Sequence, residues 1–114
     1  MAPSEIREIE QLTQRLVEHK PVADEAIKVI QAVIDSPDPA ALPALRRALG
    51  VAVQYRQWAE AYAASVDSDY KKNTPGAFFI DAMPVYGGRI VSSLRSAIEV
   101  CSPEGQPVVY EDEG

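Results

Sequence analysis

One cysteine, Cys101, and one histidine, His19, are all the soft-ligand and nucleophile-activating chemistry in these 114 residues. A lone thiol excludes an intrachain disulfide and a thiolate metal cluster. A lone imidazole leaves a Ser-His-Asp or Cys-His set only if His19 finds its nucleophile elsewhere in the chain. Neither H-E-x-x-H nor C-x-x-C occurs, and no metal or cofactor is expected. Asp67-x-Asp69 has the opening of a calcium loop, but Lys71 stands at the third ligand position and no glycine follows it, which excludes calcium. Apolar runs extend for only a few residues, where a bilayer span needs about 20. The N-terminal Met-Ala-Pro-Ser-Glu-Ile-Arg-Glu has neither a basic flank nor an apolar stretch, so a cytoplasmic location is expected.

Positive charge is also scarce. The formal net charge is −6, which argues against non-specific nucleic-acid binding and against an anionic membrane surface, since both need basic residues to neutralise phosphates. The charge is uneven. Residues 1–38 hold eight acids against four bases, residues 39–72 three against five, and residues 102–114 four acids and no base. The acidic first region should therefore attract the mildly basic centre.

Apolar spacing is what the chain has in abundance, and it is helical throughout. Ile6, Ile9, Leu12, Leu16 and Val17 form one stripe, with Ser4 as N-cap candidate, and predict a helix from about Glu5 to His19 that stops before Pro21. Ala26, Ile27, Ile30, Val33 and Ile34 predict a second helix, ended by the stiff Asp35-Ser36-Pro37-Asp38-Pro39 turn and lying antiparallel to the first. From about Ala40 to Val66 runs a third, central helix. Its Tyr55, Trp58 and Tyr62 stand at i, i+3 and i+7 and so form one aromatic ridge. Residues 67–76 read as a long polar, mobile loop, and residues 77–80 as a short apolar segment. A last helix from about Gly88 to Val100 carries Ile90, Val91, Leu94, Ala97, Ile98 and Cys101 on one face, which marks Cys101 as a buried, inert thiol. The chain reads as one all-α domain of four principal helices over residues 1–103, followed by a flexible acidic tail over residues 104–114.

Candidate sites follow from residue type. Tyr55, Trp58 and Tyr62 are core packing or a partner surface, with Arg56 as its charged rim, because tyrosine and tryptophan serve both uses. Val109 and Tyr110, inside the acidic tail, suit docking on a partner as an added strand. Phe78, Phe79 and Tyr86 face the third helix and, with Tyr62, could line a pocket. Gly87-Gly88-Arg89 before the last helix resembles a weak anion cradle or a tight turn. His19, in the last turn of the first helix, suits the negative helix end better than catalysis.

No set of residues has the types and spacing that a known chemistry requires. The expectation is a small non-enzymatic protein, of bacterial or phage accessory type, that works through protein–protein association and forms a homo-oligomer. The alternative is a helical bundle that binds a small molecule in an aromatic pocket.

Overall fold

The helical spacing of apolar residues is realised as five helices. The computed structural model describes residues 3–20, 22–75, 77 and 79–102. Within them run α1 (Pro3–Val17), α2 (Ala23–Asp35), a 3-10 turn (Pro39–Ala41), α3 (Leu42–Ser65), α4 (Ser68–Asn73) and α5 (Phe79–Cys101). No strand occurs among these residues, and all but α4 are principal bundle helices, as the sequence predicts. The tail, residues 104–114, lies outside the described residues.

Helices α3 and α5 form the axis of the molecule, with α1 laid on α3, α2 laid on α5, and α1 touching α2. The axis pair is antiparallel: Gly87 sits against Arg56, while Ala63 clusters with Ala77 and Ile80. Helix α1 runs parallel to α3, since Glu10 meets Arg47 and His19 meets Trp58. Between them the four helices bury Leu12, Leu16, Ile30, Leu45, Leu49, Ile90, Leu94 and Ile98 almost completely. Each such side chain contributes about 1.5–3 kcal/mol relative to exposure. Helix α3 contacts both α1 and α5, which explains why apolar or small residues occupy most of its circumference. Among the described residues the expected attraction between the acidic first region and the basic centre amounts to one exposed pair, Arg47–Glu10 at 3.5 Å, and exposed pairs contribute little.

Helix α1 starts at Pro3, so Ser4 lies inside it and is not its N-cap; three further differences from the sequence reading each have a physical reason. Helix α1 ends at Val17, because the Lys20 N–H donates to the Arg15 carbonyl (3.1 Å) and the His19 N–H to the Leu16 carbonyl (3.0 Å). This closing pattern needs a left-handed residue, and His19 supplies it with φ 58°. The expected loop at 67–76 contains α4, started by the Asp67 carboxylate accepting from the Asp69 N–H at 2.7 Å. The last helix begins nine residues earlier than predicted, at Phe79, and runs through Pro84 and both glycines. Proline removes one helical bond and usually ends a helix. Here the burial of Ile80, Met83 and Gly87 on the same helix outweighs that loss. Phe79 and Ile80 of the short apolar segment therefore open α5.

Candidate functional site

The axis helices outrun the layer that covers them. At 1.5 Å per residue α3 and α5 are about 35 Å long, whereas α1 and α2 are about 20 Å long. Helix α1 closes at the level of Trp58, and α2 opens beside Tyr86. Past that level the end of α3, α4 and the start of α5 project as an arm with its own small core of Ala63, Ala77 and Ile80, flanked by Val66. The Lys71 ammonium ties the arm together, donating to the Ala63 carbonyl (3.1 Å) and to Asp81 (2.9 Å).

An aromatic strip begins where the covering layer stops. The three ridge residues divide along it: Tyr55 is 1% exposed and belongs to the core, Trp58 is half-buried, and Tyr62 is 39% exposed. The rings of His19 and Trp58 stack at 4.0 Å, and those of Trp58 and Tyr62 at 5.2 Å with planes 4° apart. Tyr62 from α3, Tyr70 from α4 and Phe79 from α5 then surround an open depression of about 260 Å³, floored by Thr74, Pro75, Ala77 and Ile80. Tyr70 is 54% exposed and Phe79 45%. Among the described residues the other exposed large apolar side chains are Val85, also on the arm, and Val17 and Val100 on the body. Such residues scattered singly are ordinary, but a contiguous set is not.

The remaining predicted residues are placed as follows. Arg56 is half-buried, faces Glu60 at 3.9 Å, and covers Gly87. Tyr86 does not join Tyr62 and Phe79; it lines a separate depression with Val22, Ala23, Asp24 and Glu25 at the start of α2. Phe78, Val109 and Tyr110 lie outside the described residues. Gly87, Gly88 and Arg89 stand inside α5, so the glycine N–H groups point along the helix at carbonyls four residues earlier and form no cradle at a helix start. What Gly87 does is permit close packing: a Cβ there would stand 3.1 Å from Arg56 Cα. Tyr70 escaped the sequence reading because its segment looked like a loop. The available signal was Asp67 followed by a hydroxyl and a second acid, which is a helix N-terminus signature.

Burial pushes the Tyr55 hydroxyl above its ordinary pKa, and among the described residues that hydroxyl has no hydrogen-bond partner. Burial likewise pushes up the Cys101 thiol, opposed by a hydrogen bond at the Asp38 backbone. Among the described residues no three His, Cys, Asp or Glu side chains are grouped to hold a metal ion, and no helix is long and apolar enough to cross a membrane. No family model, no curated protein and no solved structure matches the chain.

Proposed function

We propose that this protein acts by association, as a non-enzymatic module whose contact surface is the aromatic face of the arm and whose occupant is a second copy of the chain. The observation that carries the proposal is the abrupt end of the α1–α2 layer at Trp58 and Tyr86, beyond which Tyr62, Tyr70 and Phe79 stand uncovered. On the body, two more helices cover the α3–α5 pair. On the arm no described residue covers the corresponding face, and the arm of a second copy would supply that cover in kind. Closed two-fold pairs are the commonest way in which identical chains meet, because one patch serves both partners. Tyrosine is also a residue type that anchors interfaces. An accessory or adaptor role of bacterial or phage type, in a cytoplasmic setting, belongs to the same proposal.

The small-molecule reading is favoured by the three rings around the depression. Its weakness is that the depression is open, whereas a ligand site encloses most of its ligand.

Light scattering across a dilution series, with Trp58 emission read in parallel, tests the association. A dimer is expected whose dissociation shifts the Trp58 emission to the red. Phe79→Glu should abolish the dimer, while Val100→Glu, an equally exposed site on the body, should leave it intact. A monomer at every concentration, or equal sensitivity to both substitutions, would remove the proposal.

A further inference from the structure

The place of Arg89 in a pair of copies rests on the two-fold pairing just proposed. Along α5, residues 79, 82, 86 and 89 follow the spacing i, i+3, i+7 and i+10, so Phe79, Ala82, Tyr86 and Arg89 share one helix face. Phe79 marks the outer end of the arm, beside the depression. Arg89 lies about 15 Å inward, just past the level where α2 begins. When two such arms meet antiparallel about a two-fold axis, the inner end of each lies over the outer end of the other. The residue at the inner end is an exposed arginine with no ion-pair partner among the described residues. The feature at the outer end is a depression whose lining has three aromatic rings and no charge.

The electrostatics agree with this placement. Residues 56–86 carry Glu60, Asp67, Asp69 and Asp81 against Arg56, Lys71 and Lys72; Glu60 faces Arg56 and Lys71 is committed to Asp81, which leaves Asp67 and Asp69 against Lys72. The segments that bound the depression are therefore slightly net acidic and attract a cation. A guanidinium can stack on an aromatic face, and the attraction grows as water is excluded. We infer that Arg89 of each copy seats in the Tyr62–Tyr70–Phe79 depression of the other, so that the dimer holds two reciprocal cation–aromatic contacts and each site is incomplete without the second chain.

Mixing variants separates this contact from the association itself. Tyr70 suits the experiment because it is exposed and α4 contributes no buried residue to the fold. Arg89→Ala and Tyr70→Leu are each expected to raise the dimer dissociation constant about tenfold, since each homodimer loses both contacts. A heterodimer of one Arg89→Ala chain and one Tyr70→Leu chain keeps one intact contact. Labelled chains titrated by fluorescence anisotropy should therefore show the heterodimer to be tighter than either parent homodimer, beyond the twofold statistical advantage. Thermal melts of the variants at concentrations where every chain is monomeric should coincide with that of the wild type. If the wild-type chain dimerises but the heterodimer is no tighter than its parents, the Arg89 contact is wrong and the association stands. If the wild-type chain never dimerises, both are wrong.

Discussion

The His19 imidazole lies flat on the Trp58 indole, ring centroids 4.0 Å apart and planes within 19°, and left-handed backbone holds it there at φ 58°. One residue thus closes α1 and anchors the α1–α2 turn to α3. The two roles make opposite demands on the side chain. Glycine would relieve the backbone, whereas only a planar ring can stack. His19→Gly should therefore leave stability within about 0.5 kcal/mol of the wild type, the relieved strain offsetting the lost stack. His19→Ala keeps the strain and loses the stack, and should cost about 1 kcal/mol in urea unfolding. Both should move Trp58 emission. An alanine variant as stable as the wild type would show that the stack contributes nothing.

The two adjacent glycines of α5 should respond in opposite directions. A methyl group at Gly87 would stand 3.1 Å from Arg56 Cα and Cβ and 3.3 Å from Tyr55 Cδ1. The nearest of these is backbone, which cannot swing aside. Gly87→Ala should force α3 and α5 apart and lower stability by about 1–2 kcal/mol, the overpacking cost outweighing the gain in helix propensity. At Gly88 the nearest atom is the flexible Arg56 Cδ at 3.9 Å. Gly88→Ala should therefore stabilise by up to about 1 kcal/mol. Thermal melts of both variants decide the matter, and a shift of the same sign in both would show that the helices do not meet closely at Gly87.

These glycines also show where the sequence was legible and where it was not. Periodicity identified the four principal helices, because each buries a stripe repeating at three and four residues. It could not tell that Gly87 and Gly88 lie inside a helix, since a glycine pair after a proline has the same local signature whether it ends a turn or admits a neighbouring backbone. Only the approach of Arg56, 31 positions earlier in the chain, decides between them. The aromatic ridge was legible as a ridge, but its division into core Tyr55, intermediate Trp58 and exposed Tyr62 depends on where α1 stops. Tyr70 and Phe79 reach the same depression by two routes: α4, whose start signal at Asp67 is local, and an early start of α5, which follows from packing that no local window contains.

Tyr55 makes a prediction about alkaline pH. Its ring is buried, its hydroxyl has no partner among the described residues, and burial raises its pKa above the ordinary 10.0. The unfolded chain therefore releases this proton before the folded one does. Above about pH 10 the unfolded state binds fewer protons than the native state, so this part of the stability falls as pH rises, by at most about 1.4 kcal/mol per pH unit. Cys101 acts with the same sign from about its ordinary 9.0 upward. Tyr55→Phe removes the tyrosine share of the alkaline slope. It also removes an unpaired buried hydroxyl, and should stabilise the protein by about 1 kcal/mol at pH 7. A phenylalanine variant that is less stable at pH 7 would mean that the hydroxyl has a partner.

The arm should be the least stable part of the molecule, and Lys71 controls it. Its small core is separate from the main one, and α4 buries nothing of its own. What holds α4 down is Lys71, whose side chain is only 18% exposed and whose ammonium lies between the Ala63 carbonyl and Asp81. Lys71→Met keeps the apolar stem and deletes the charge. Because Asp81 is itself largely exposed, the loss should be only about 1 kcal/mol. That loss should be local: hydrogen exchange should quicken in α4 and the first turn of α5 while the amides of α1, α2 and the body of α3 keep their protection. Since the proposed contact surface is built on the arm, the same variant should weaken the dimer without lowering the melting of the body. Uniform acceleration of exchange across all helices would instead make arm and body one cooperative unit, and the aromatic face would then be as rigid as the core beneath it.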